Sequence, residues 1–126
     1  MLSVIHKGVL IGIKIEKFAN GSLPITDTQE FLQVVTLKHL KGCYLKAHLH
    51  KPTVRKTQKL QECIIVKKGK IKLDLYTQDK KLIKYIFLKT GQAFILLNGG
   101  VGIKIIEDTE IYEVKNGPFK EDKILI

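Results

Sequence analysis

The chain has 126 residues, 44% of them hydrophobic, which is enough for one domain with a real core and argues against disorder. No uninterrupted apolar run is long enough to cross a bilayer, and His6, Lys7 and Lys14 interrupt the N-terminal apolar stretch, so no signal peptide is read there. The net charge of +10 comes from 21 lysines and one arginine (Arg55) scattered along the chain; phosphate and base readout favours arginine, so a lysine-rich solvated surface is expected in a cytoplasmic protein, not a nucleic-acid interface.

In chain order nearly every signal is β. Val4-Ile5 and Val9 to Ile15 read as early strands, and Asn20-Gly21-Ser22 with Pro24 as a loop. Phe31 to Leu37 is the next strand, and Lys41-Gly42 turns the chain into a strand from Cys43 to His50. Lys51 to Lys59 is a long polar loop. Leu60 to Val66 is apolar and β-branched. Lys68-Gly69 turns into Lys70 to Tyr76, where Ile71, Leu73 and Leu75 alternate with polar residues. Thr77 to Lys81 is a hairpin loop into Leu82 to Leu88. Ala93 to Leu97, Val101 to Ile106 and Glu110 to Lys115 complete the strands, and Asn116-Gly117-Pro118 releases a tail. Short strands at such spacing, with no helix, predict an all-β sandwich or barrel forming a single domain over 1–126.

His48 and His50 are the most informative pair. One residue apart on a strand, both imidazoles leave the same face, about 7 Å apart at their roots. Two ring nitrogens at that separation can converge on one metal at about 2.0–2.1 Å. Glu62 could add a carboxylate from a neighbouring strand. Two neutral nitrogens and an anionic oxygen suit Fe, Mn, Zn or Ni with positions left open. Tyr44 and Lys46 share the histidine parity and line the same cavity. Lys51 and Arg55, with Lys56 and Lys59, sit in the adjoining loop, either as a solvated basic loop or as a clamp for a phosphate or carboxylate. Gln58 and Gln61 are further polar candidates, and His6 and His39 read as surface or turn residues. The opposite face of the same strand (Cys43, Leu45, Ala47, Leu49) is apolar, so it too is expected to be covered, by more sheet or by a second subunit. Cys43 and Cys63 are expected to be reduced and to face away from the site. The apolar tail residues Phe119, Ile124, Leu125 and Ile126 could pack on the barrel or on a neighbour.

The segment Gly42-x5-His48-x-His50, followed by Glu62-x6-Gly69, resembles the first motif of the cupins, and the strands around Gly91 and Gly99 resemble a remnant of the second. The resemblance covers roughly residues 35 to 115. It implies a double-stranded β-helix, or jelly-roll barrel, with a small polar or anionic molecule inside, a divalent metal on His48, His50 and Glu62, and a homodimer. The chain departs from the family pattern in the eleven residues between His50 and Glu62, in Leu97 where a proline is usual, and in Val101-Gly102 where the second motif carries a histidine. These departures imply weakened metal binding. Ala47-His48-Leu49-His50-Lys51 also resembles the His-x-His-Lys stretch of cupin-type ketoisomerases acting on nucleotide-linked deoxysugars, which implies proton transfer by His48 or His50 without a metal. Three readings stand: a metal-binding cupin, a metal-independent isomerase or epimerase, and a non-catalytic small-molecule-binding module.

Overall fold

Wherever alternating residues find a partner strand, they form sheet. A computed structural model describes residues 1–126 as an all-β protein of ten strands: β1 Leu2–His6, β2 Val9–Ile15, β3 Gly21–Pro24, β4 Val35–Lys38, β5 Glu62–Lys68, β6 Lys70–Tyr76, β7 Leu82–Lys89, β8 Ala93–Leu96, β9 Gly100–Ile105 and β10 Glu110–Lys115. They form an antiparallel five-stranded sheet in the order β1-β2-β8-β5-β10, a three-stranded sheet β7-β6-β9 and a small hairpin β3-β4. No sheet closes on itself; β9 and β10 are both edges.

The two larger sheets face each other. Ile64 and Val66 of β5, Phe94 and Leu96 of β8, Ile71, Leu73 and Leu75 of β6 and Leu88 of β7 form one buried cluster, reached by Val4 and Ile11. Period-2 alternation explains the choice: Ile71, Leu73 and Leu75 point in, while Lys70, Lys72, Asp74 and Tyr76 point out. Each such side chain contributes about 1.5–3 kcal/mol on burial. The back of the five-stranded sheet has its own cluster, in which Cys63, Ile95, Ala93, Ile13 and Ile15 are covered by Ile25, Leu97 and the flanking Leu23, Leu32 and Val34. Residues 23–34 therefore act as a lid on that face.

Turns fall where the backbone requires them. Gly69 has φ +102°, and a Cβ there would strike the Asp108 carbonyl oxygen and the Thr109 hydroxyl. Gly99 has φ +83°, and a Cβ would strike the Tyr76 carbonyl oxygen.

Three expectations need correction. Gly21–Pro24, read as loop, is strand β3, because it finds β4 as partner and its proline sits at the strand end. The strand expected from Phe31 shrinks to Val35–Lys38. Most consequentially, Cys43 to His50 is not a strand. Residues 39–61 carry no regular structure apart from the Lys41-Gly42 turn, and residues 37–60 are exposed throughout. Their alternation is present in the sequence, but no neighbouring strand satisfies their N–H and C=O groups within the chain.

Candidate acid-base site at the open end of the sandwich

Glu62 opens β5 and shares its face with Ile64 and Val66, so its side chain enters the space between the sheets, half-buried. The β5–β10 register places Glu113 opposite Ile64 and Lys115 opposite Glu62. Glu62, Glu113 and Lys115 therefore line the same inner face, at the end where the core gives way to solvent.

The three groups are chemically linked. Burial first, and then the hydrogen bond to Glu113 and that carboxylate's charge, push the Glu62 pKa up to about 7, against partial relief from Lys115 and Lys123. Glu113 moves the other way. Its hydrogen bond to the Lys115 ammonium, with Nζ 2.7 Å from Oε1, holds it below the usual carboxylate range, with help from Glu62. The same bond raises Lys115. The pair thus holds its proton more readily on Glu62 than on Glu113, whose carboxylate is engaged by Lys115. Two carboxyls pushed apart in pKa by their surroundings can divide acid and base roles.

The chain end that enters β5 is firmly held. Gln61 is fully buried. Its side-chain carbonyl accepts from Leu32 N–H at 2.8 Å, its amide donates to Glu30 at 2.5 Å and to the Leu97 carbonyl at 3.3 Å, and its backbone N–H donates to Asn116 Oδ1 at 2.7 Å. Asn116 Nδ2 donates to the Lys59 carbonyl at 3.1 Å, and the Lys59 ammonium bonds Asn98. Gln61 is therefore a structural residue of the lid side, not a cavity liner.

The histidines lie elsewhere. His48 and His50 are exposed on the 39–60 arm, stacked edge to face with ring centroids 5.1 Å apart, and His48 Nδ1 lies 2.9 Å from the Lys46 carbonyl oxygen. Tyr44, Lys46, Lys51 and Arg55 are exposed on the same arm, as are Cys43, Leu45, Ala47 and Leu49, whose face was expected to be covered. No three His, Cys, Asp or Glu side chains come together to hold a metal, so within one chain His48, His50 and Glu62 do not form the anticipated ligand set. Glu113 and Lys115 were missed by sequence reasoning. Their only signal is shared parity with Ile111 on a strand that begins and ends in charge.

Both cysteines are free. Cys63 faces the lid, opposite in parity to Glu62, and burial pushes its thiol up to about 11. His39 bonds the Ser22 hydroxyl at 3.1 Å. An open hollow of about 490 Å³ lies at the β1–β2 turn and is lined by His6, Lys7, Asp79, Lys81 and Asn98. Asp79 there is engaged by the Thr77 hydroxyl at 2.5 Å and sits beside Lys81, so it offers no free acid.

Comparison with protein families, with curated proteins and with solved structures finds no match to this chain.

Proposed function

We propose that the protein is a jelly-roll, double-stranded β-helix protein whose open end performs acid-base chemistry on a small anionic molecule, in the manner of a metal-independent isomerase or epimerase of nucleotide-linked sugars. One feature carries the chemistry: the β5–β10 register sets half-buried Glu62 on the same face as Glu113 and Lys115, where burial and the neighbouring carboxylate push its pKa up to about 7. Such a group gives a proton to a substrate oxygen or carbon in one form and takes one in the other, and a pKa close to the working pH suits both halves of an isomerisation. Lys115 and Lys123 supply positive charge beside the pair, which favours a phosphate- or carboxylate-bearing ligand.

The fold reading is supported by the order of the strands. From β5 onward, β5, β8 and β10 fall in one sheet and β6, β7 and β9 in the other. That alternation is the one made by the last six strands of an eight-stranded jelly roll, and it leaves one strand place free beside β10 and one beside β9. The metal reading finds no ligand set within a single chain, and the chemistry proposed needs none.

The test has two parts. Carbon-detected NMR titration of Glu62 should show a midpoint near 7, and a midpoint near 4.5 would remove the proposal. Nucleotide-linked 4-keto-6-deoxysugars incubated with the protein in D2O should gain deuterium at the carbon next to the ketone, with loss of at least a hundredfold in rate in Glu62→Gln. Tight sugar binding without deuterium uptake would make the protein a binding module instead.

A further inference from the structure

Two features of the molecule lack partners and suit each other. The first is the arm. Between Leu40 and Gln58 every hydrogen bond is local: Cys43 N–H to the Leu40 carbonyl, His48 with the Lys46 carbonyl, Thr53 to Lys51 and Arg55 to Thr53. Leu49 is 97% exposed and Leu45 50%. The second is the open side of the sandwich, where β9 and β10 are edges of opposite sheets joined by the short connection 106–109. On β9, Ile103 and Ile105 pair with the fully buried Leu73 and Ile71 and so belong to the inner face, yet they stay 41% and 52% exposed. An apolar inner row left in water marks a missing strand.

We propose that two copies of this chain exchange arms: residues 43–50 of one copy add as an antiparallel strand to the β9 edge of the other and carry His48 and His50 to that copy's Glu62–Glu113 pair. This rests on the acid-base reading of that pair. Direction is set by geometry. An antiparallel neighbour of β9 starts beside Ile105 and finishes beside Gly100, and Gly100 follows closely on Leu96, the register partner of Glu62. The histidines therefore arrive at the Glu62 end. Charge agrees at the end where the arm would enter. Residues 39–60 hold six basic side chains and no acidic one, while Glu107 and Asp108 sit in the turn that follows β9, beside the place where residue 43 would begin.

A second copy explains the arm better than closure on its own body. If the histidine face turns inward, Leu45 and Leu49 turn out, and a lone chain leaves them in solvent. In a two-fold pair the arm lies between two bodies and both faces are covered. Donor and acceptor sit on the same chain, so a two-fold axis makes the exchange reciprocal and closes it at two copies. A 22-residue arm also meets the roughly 20–30 residues a side of a stable interface.

The test uses full-length protein. Unlabelled and 15N-labelled chains are mixed, partly denatured and refolded together, then coupled with a zero-length carbodiimide that joins ammonium to carboxylate, and mapped by mass spectrometry. The expected links run from Lys41 to Glu107 or Asp108 and from Lys51 to Glu62 or Glu113, with about half joining a light to a heavy chain. Light scattering should give twice the chain mass. The same links found only within single-isotope chains would show that the arm folds onto its own body and would overturn the exchange. A monomeric mass would do the same. Mixed links that never reach Glu62 or Glu113 would overturn the histidine delivery. None of these readouts depends on where Glu62 titrates or on turnover, so failure of the exchange is separable from failure of the acid-base reading.

Discussion

β6 and the arm segment 43–50 carry much the same alternation, apolar residues at every second position with lysines and aromatics between. β6 became a central strand, paired on both sides along nearly its whole length. The arm became exposed, irregular chain. The difference lies in neighbours, not in composition. β6 has β7 one short turn away, so pairing costs little loop entropy. The arm is flanked by long connections and meets no edge within its own chain. β propensity is a capacity to fit a pleated surface and is expressed only where one is offered.

Several measurements can break this contrast or sharpen it. The largest expected effect is in the packed block: Phe94→Ala removes a fully buried ring at the centre of the inter-sheet core and should cost about 3–5 kcal/mol in denaturant unfolding. An effect below 1 kcal/mol would mean the sheets do not share that core. Next comes Gln61→Ala, which strips the Leu32 N–H and Leu97 carbonyl of their partner at the arm's return point. Each buried group left unpaired costs about 1–3 kcal/mol, and amide exchange at Leu32 should rise.

A smaller effect comes from pH. In the folded protein Glu62 binds its proton more tightly than in the unfolded chain, from an ordinary value of 4.5 up to about 7. Its contribution is fully present below about pH 4.5 and fades as pH rises through about 7. After allowance for solvent screening, stability should fall by on the order of 1–2 kcal/mol across that window. Glu62→Gln should flatten the slope, and an unchanged slope would sink the assignment. The smallest effect belongs to the arm: Leu49→Ser should leave the unfolding free energy of the isolated chain within about 0.5 kcal/mol.

Much of the fold could be read from the residues alone. Lys70–Tyr76 and Glu110–Lys115 emerge with the boundaries their alternation suggests, and the Thr77 to Lys81 loop falls where its polar run lies. β3 was hidden because Gly21 and Pro24 are turn residues in isolation, and only pairing with β4 makes them strand. The site was half legible. Glu62 stands out by its spacing to Gly69, but Glu113 lies about fifty residues further on and becomes its neighbour through the β5–β10 register, which no local pattern encodes. The histidines were legible as a pair, while their place in the molecule depends on what receives the arm.

The two thiols differ in a way that provides an experimental handle. Cys63 is sealed under the lid and resists ionisation until about pH 11, whereas Cys43 is open to solvent on the arm. A mild maleimide dye at neutral pH should therefore tag the unaltered protein at one position. Fluorescence from that single label would report the arm's surroundings as concentration or ligand changes, with no engineered residue.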